Sequence, residues 1–318
     1  MTTSPKVKKV PAQLTPVDDK KRVEVEIKVP KTENIIFIGS ELYYNSFWLK
    51  MMFVGAAYAK VNKLRAADKK TVAYVDVDYN HLEKLAIERF RDKYGFELVK
   101  LASSADIVAL MNRDRENYKL LDVAFFSHGV IDAISMNYPS KDQQVRLATE
   151  NYSDINKNAF AANGRLYSYA CRTGVSEPGE SFAKEADAKP ERSLAQKIAT
   201  HLDIEVHAFL RRSHYGGILR EASQSKAITS ALNDGREKNE GSVIQIPPDH
   251  EALPHAGLAE VGSSSWYWRS GAKGEGTNGY ALWRREGGIG LPVGGDGPTG
   301  LGADMRVFKP VAKPKPKE

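Results

Sequence analysis

The sequence predicts an α/β fold in which a mostly parallel, six-stranded sheet lies between layers of helices. Short apolar runs recur along the chain, and stretches of helical composition separate most of them, as in proteins whose parallel strands are connected by helices. Some runs, such as those at 34–40 and 120–127, are apolar almost without interruption. Such runs are typical of strands that are buried on both faces of the sheet.

The predicted elements follow one another closely from residue 34 to residue 210. The runs that we interpret as strands cover 34–40, 71–78, 96–102, 120–127, 166–170 and 204–210. Helical composition or spacing covers 45–65, 80–94, 104–117 and 192–202, and Gly95 is a typical residue to end the second helix. The stretch between the fourth and fifth strands has a less regular pattern, and no element is predicted there.

We expect four regions along the chain. Residues 1–33 form a polar, flexible leader with one short strand over 23–29, and residues 34–214 form the main domain. Residues 215–308 form a loop-rich part that packs on the same domain, and residues 309–318 form a basic tail. Weaker patterns in the C-terminal part allow a helix at 218–234, strands within 280–286 and 305–310, and an aromatic packing cluster at 266–268. The glycine-rich stretch at 287–302 is either a mobile loop that closes over a cleft or a plain surface loop.

Composition excludes several classes of protein. Hydrophobic residues make up 42% of the chain and charged residues 27%, which is ordinary for a globular protein. No apolar run reaches the length of a membrane-spanning helix, and no secretory signal begins the chain. We therefore expect a cytoplasmic protein, or one exported by a route that needs no signal peptide. The net charge of +6 lies largely in lysine-rich tails, which we interpret as solvated, and no nucleic-acid-binding signature is present.

The only cysteine of the chain, Cys171, is either a small buried hydrophobe or a reactive thiol. Its position favours the second interpretation, because the apolar run 166–170 leads directly into it. In the same way, the run 120–127 leads directly into His128 and Gly129. Ligands of open parallel sheets bind at the carboxyl ends of the strands. If these two strands are neighbours, both side chains face the same substrate.

These residue types suit nucleophilic catalysis. A cysteine thiolate attacks a carbonyl carbon, and a histidine imidazole moves the proton. Gly129 has no side chain, so its N–H can approach a substrate oxygen and form an oxyanion hole with the N–H of Cys171. With one cysteine and no histidine–carboxylate motif, we expect neither a metal nor another cofactor. These residues therefore predict acyl transfer by a thiol nucleophile, with His128 as its base.

The blocks VAFFSHG and LYSYACRTG resemble those of the caspase-like (clan CD) cysteine peptidases, in which His-Gly and Ala-Cys end adjacent strands. Cys171 follows His128 by 43 residues, close to the roughly 50 of caspases. Tyr169 stands where caspases have Gln, and Thr173 adds a residue before Gly174, so ACRTG is closer to bacterial CHAT domains.

The resemblance covers about residues 34–212. It implies a caspase-like three-layer sandwich, with Cys171 and His128 as a catalytic dyad and Gly129 assisting at the oxyanion. The implied substrate is a protein or peptide, and self-cleavage is a further implication, because some relatives are switched on by it or by calcium. Two other classes stay open, namely an inactive caspase-like scaffold and a bacterial effector or toxin that delivers the same peptidase. A nucleotide-binding α/β protein is the weakest alternative.

Four other side chains are candidates for a substrate pocket. Asp76 and Asp78 end the second predicted strand, where they either form an acidic pocket for a basic side chain or simply face solvent or cap the next helix. Arg172 either favours the thiolate of its neighbour or points into solvent. His214 lies just beyond the sixth strand and could line the cleft, whereas His207 within that strand has the pattern of a structural residue.

Overall fold

The computed structural model describes residues 31–41, 50–66, 68–138, 144–215, 218 and 290–311. The strands are β1 (Lys31–Ile38), β2 (Lys69–Val75), β3 (Glu97–Leu101), β4 (Tyr118–Phe126), β5 (His128–Val130), β6 (Ala133–Ser135), β7 (Arg146–Ala148), β8 (Phe160–Ser168), β9 (Glu205–Ala208), β10 (Ser213–His214), β11 (Val293–Gly294) and β12 (Arg306–Phe308). The α-helices are α1 (Met52–Lys63), α2 (His81–Tyr94), α3 (Ser104–Asn112) and α4 (Leu194–Leu202). Short 3₁₀ helices cover Tyr152–Asp154, Lys157–Ala159, Glu185–Ala188 and Pro190–Arg192.

A seven-stranded sheet forms the centre of the molecule, in the order β12-β9-β8-β4-β1-β2-β3. The six strands from β9 to β3 run parallel, which confirms the predicted α/β class with a mostly parallel sheet. The seventh strand, β12, pairs antiparallel with β9 at the edge. The expected number of six strands was therefore one too low. The sequence pattern allows a strand within 305–310, but three residues carry too little periodicity to assign it to a sheet.

Helices cover both faces of the sheet and make three layers. Alternate residues of β1 enter different cores, because successive side chains of a strand point to opposite faces. Ile35 and Phe37 contribute to the core that includes α3 and α4. Ile36 and Ile38 contribute to the core that includes α1 and α2. Burial on both faces explains why this strand reads as a continuous apolar run.

The helices begin and end where local chemistry dictates. Asn80 and Glu83 form a capping box at the start of α2, and Gly95 ends the same helix with φ of 63°. Helix α3 begins at a second capping box but ends at Asn112, five residues before the predicted end. It ends early because Arg113 and Arg115 turn back to form ion pairs with the buried carboxylate of Glu33.

The irregular stretch after β4 contains a small antiparallel sheet in the order β5-β6-β7. This sheet was not predicted, because each of its strands has only three residues. Strand β1 begins at Lys31, within the expected leader, because its first residues pair with β4. Four predicted features lie outside the described residues, apart from Ile218: the strand at 23–29, the helix at 218–234, the aromatic cluster at 266–268 and the strand at 280–286. None of the helices in the described ranges is long and apolar enough to cross a bilayer.

Candidate active site

The carboxyl ends of the six parallel strands form one edge of the sheet, in the order β3, β2, β1, β4, β8, β9. Strand β4 pairs directly with β8, from Leu120 with Phe160 to Phe125 with Ser168. His128 follows β4 after one residue, and Cys171 follows β8 after two. The condition for a shared site, that these two strands are neighbours, is therefore met.

Backbone hydrogen bonds continue beyond β8 and join its end to both neighbouring strands. The amide of Tyr169 donates to the carbonyl of Phe125 in β4 at 3.0 Å, and the amide of Arg172 donates to the carbonyl of Arg211, after β9, at 2.9 Å. Arg172 has φ of 58°, in the left-handed region, so the chain turns sharply immediately after Cys171. The buried hydroxyl groups of Ser168 and Thr173, 2.7 Å apart, link the two sides of this turn.

Gly129 lies directly against the backbone of Cys171. A Cβ atom on Gly129 would overlap the carbonyl oxygen of Cys171 and would lie 2.7 Å from its amide nitrogen. Real Cβ atoms do not tolerate such contacts with backbone, so this position requires glycine. The Cys171 N–H has no backbone acceptor among the described residues. The two peptide units proposed from sequence for an oxyanion hole are thus adjacent.

The thiol of Cys171 contacts Ser213, which begins β10. The amide of Ser213 donates to Sγ at 3.2 Å, and the Ser213 hydroxyl lies 3.3 Å from Sγ. Tyr215 lies nearby, and its hydroxyl donates to the carbonyl of Tyr169 at 3.0 Å. Burial raises the pKa of Tyr215, and the charge of Cys171 raises it further. Among the described residues, no hydrogen bond joins Sγ to His128.

The imidazole of His128 is partly buried among three side chains. Its Nε2 lies 2.9 Å from the carboxylate of Glu41, and its Nδ1 lies 3.2 Å from the hydroxyl of Tyr138. The edge of the Phe53 ring meets the imidazole, with ring centroids 4.8 Å apart. The carboxylate of Glu41 is almost fully buried, with only 1% of the side chain exposed.

Asp76 and Asp78 lie at the same edge of the sheet but have different environments. Asp76 forms ion pairs with Lys84 at 2.9 Å and Lys100 at 3.7 Å, which makes it a link between α2 and β3. The Asp78 side chain accepts a hydrogen bond from Ser40 at 3.1 Å, one residue before Glu41. Asp78 therefore contacts the end of β1, the strand that lies between β2 and β4, whereas the ion pairs of Asp76 are with α2 and β3.

The other candidates have defined contacts. Arg172 does not point into solvent, because its guanidinium donates to the carbonyl of Gly179 at 2.9 Å and contacts Glu180 at 3.3 Å. His214 is exposed on the two-stranded ribbon of β10 and β11, directly after the serine that contacts the thiol. His207 stacks on Tyr167 with ring centroids 4.6 Å apart, and burial lowers its pKa, as for a structural histidine.

Glu41, Tyr138 and Ser213 belong to this site but were not predicted from sequence. Glu41 has one signal, since it is an acidic residue three positions after an apolar strand, as Asp78 is after β2. Tyr138 and Ser213 have none, because each reaches the site from a loop or a two-residue strand.

Within the described residues, no group of three histidine, cysteine, aspartate or glutamate side chains is placed to hold a metal ion. Comparison with known proteins found no family model that matches the chain and no curated protein that is similar to it. The geometry of the strand ends therefore carries the functional interpretation.

Proposed function

We propose that this protein is a cysteine endopeptidase of the caspase-like type, with Cys171 as nucleophile and His128 as general acid and base. The observation that carries the proposal is the direct pairing of β4 with β8, which brings the His128-Gly129 segment against the backbone of Cys171. A nucleophile, a base and two neighbouring amides are the groups that acyl transfer requires.

The proposed reaction has two steps. His128 takes the proton of the Cys171 thiol, and Sγ attacks the peptide carbonyl to form a tetrahedral oxyanion near the N–H groups of Gly129 and Cys171. The C–N bond then breaks, the amine leaves with the proton from His128, and a thioester remains. In the second step His128 takes a proton from water, hydroxide attacks the thioester carbonyl, and the thiol leaves protonated. Each backbone donor typically contributes about 3 kcal/mol of transition-state stabilisation.

One observation favours a second candidate, a caspase-like scaffold without activity. The thiol hydrogen-bonds to Ser213 rather than to His128, so the described arrangement is not one in which the base can take the thiol proton directly. Catalytic hydrogen bonds are often long or poorly aligned before substrate binds, which keeps the enzyme as the first proposal. The third alternative, a delivered effector, uses the same chemistry and differs only in where the protein acts.

A peptide library and the full chain test the proposal. We expect wild-type protein to cleave the library or itself, with or without calcium, and Cys171→Ala and His128→Ala to abolish the cleavage seen by mass spectrometry. Cleavage that persists in Cys171→Ala contradicts the assigned nucleophile. No cleavage by any variant, together with a thiol that iodoacetamide alkylates no faster than a model cysteine, supports the scaffold instead.

A further inference from the structure

The burial of the Glu41 carboxylate needs an explanation, because a buried charge costs free energy unless a partner compensates it. Its Oε2 lies 2.9 Å from Nε2 of His128. Gly39 permits this approach, since a Cβ atom there would lie 2.6 Å from the carbonyl oxygen of Met136 and 2.7 Å from the Cβ of Ser127. The end of β1 therefore passes close over the end of β4.

The two ring nitrogens of His128 face groups of opposite character. Glu41, when ionised, offers only acceptors, so a bare nitrogen lone pair 2.9 Å away would be repelled. The contact lacks the angle of an aligned hydrogen bond, so the attraction is mainly one of charge. The Tyr138 hydroxyl, 3.2 Å from Nδ1, can donate to a bare nitrogen. Both contacts favour an imidazole with its proton on Nε2.

We propose that Glu41 is the positioning residue of His128. It keeps the ring proton on Nε2, so that Nδ1 is the basic nitrogen. In the resting protein the Tyr138 hydroxyl occupies Nδ1, and this hydrogen bond must open before Nδ1 can take the Cys171 proton, after which Glu41 stabilises the imidazolium. The catalytic part of this inference rests on the proposed function, whereas the tautomer is a property of the resting protein and is testable without any activity.

The groups around the ring support this assignment. The titratable side chains at His128 or at its immediate neighbours come from the segments that follow four strands, β1, β6, β8 and β10, and they are Glu41, Tyr138, Cys171 and Tyr215. Helix α1 contributes the uncharged ring of Phe53. Asp78 and Glu83 lie near a different group, the buried hydroxyl of Tyr79. Burial raises the pKa of Tyr79, and the charges of Glu83, Glu41 and Asp78 raise it further. Within the described part of the chain, Glu41 is the carboxylate at ion-pair distance from His128.

Nitrogen-15 NMR of the wild-type full chain tests the tautomer directly. The His128 ring signals are assigned by their loss in His128→Gln, and the spectrum is recorded at a pH at which the ring is neutral. We expect the proton on Nε2 and a lone pair on Nδ1. A neutral ring protonated on Nδ1 overturns the inference, and this measurement does not depend on the folding of any Glu41 variant.

Glu41→Gln tests the carboxylate, with Glu83→Gln as a matched control in which another buried carboxylate at this edge becomes an amide. Because an amide can donate as well as accept, we expect Glu41→Gln alone to increase the fraction of neutral His128 rings that carry the proton on Nδ1, measured by the same nitrogen-15 NMR experiment. It should also reduce kcat about 10- to 100-fold, a part of what a positioned acid–base group contributes, with little change in KM.

The outcomes separate the two proposals. An unchanged tautomer in Glu41→Gln overturns the role of Glu41 whatever the activity, and an unchanged kcat with a changed tautomer overturns its catalytic part. If wild-type protein cleaves nothing, the proposed peptidase function fails, and the tautomers of wild type and Glu41→Gln alone decide whether Glu41 positions His128.

Discussion

At the scale of single residues, the candidate site depends on close backbone contacts as much as on reactive side chains. Gly129 and Gly39 each lie where an added Cβ atom would overlap a neighbouring strand end. Reactive groups need placement to within a fraction of an ångström, and a displacement of about 1 Å can lower a rate about 100-fold. The two glycines therefore matter to the proposed chemistry although neither supplies a reactive side chain.

Gly129→Ala should lower peptide cleavage about 100-fold, because the new methyl group pushes the Cys171 backbone away from its position beside His128. The overlap should also reduce the free energy of unfolding, by about 1–3 kcal/mol. Steady-state kinetics on a cleaved peptide and urea denaturation measure the two effects. Gly302→Ala is the matched control, since nothing lies within 4 Å of an added Cβ there. Equal activity of the two variants contradicts the placement of Gly129.

At the scale of elements, ion pairs connect the strand ends to the helices that follow them. Asp76, after β2, joins α2 through Lys84 and β3 through Lys100. Burial alone would raise the pKa of Asp76, but the hydrogen bond and charge of Lys84 and the charge of Lys100 outweigh it and lower the pKa. A carboxyl group with a lowered pKa in the folded state stabilises the fold above its unfolded-state pKa and loses that effect in acid.

Asp76→Asn should therefore reduce the free energy of unfolding at pH 7 by about 0.5–1 kcal/mol, a small loss because solvent screens this partly exposed pair. The difference from wild type should shrink as the pH falls below about 4, where the unfolded-state carboxyl becomes protonated. Urea denaturation at a series of pH values measures it, and Lys84→Met in both backgrounds isolates the pair. Unchanged stability together with weaker cleavage of peptides that have a basic side chain would instead place Asp76 in a substrate pocket.

At the scale of the whole molecule, the C-terminal segment completes the sheet. Strand β12 pairs with β9, and Phe308 is buried in the core on one face. The ring of Phe308 comes within 3.1 Å of the Cβ position of Gly174, which belongs to the turn after Cys171. The end of the described chain thus supports the segment that carries the proposed nucleophile.

Phe308→Ala should reduce the free energy of unfolding by about 3 kcal/mol, because it removes a buried ring and leaves a cavity. Val307→Ala is the matched control on the exposed side of the same strand, where 41% of the residue is accessible, and should cost less than about 0.5 kcal/mol. Thermal and urea denaturation of the full chain compare the two. Similar small losses would mean that β12 contributes little to the fold.

The strands, the helix ends and the two proposed reactive residues were largely predictable from sequence. Buried strands appear as continuous apolar runs, capping residues such as Asn80 lie next to the helix they start, and both His128 and Cys171 directly follow an apolar strand. The missed elements are short or polar. Strands β5, β6 and β7 have three residues each, and the first part of β8 has two consecutive exposed residues, Ala162 and Asn163, so these segments produce no periodic signal.

By itself, the sequence determined the α/β class, most of the elements and the positions of His128 and Cys171 at strand ends, because these depend on side chains close together in the chain. Only the tertiary structure decided the strand order that makes β4 and β8 neighbours, the approach of Glu41 to His128 and the contact of Ser213 with the thiol. These contacts join segments far apart in the chain. They result from the packing of the sheet edge, for which no local pattern of residues is a guide.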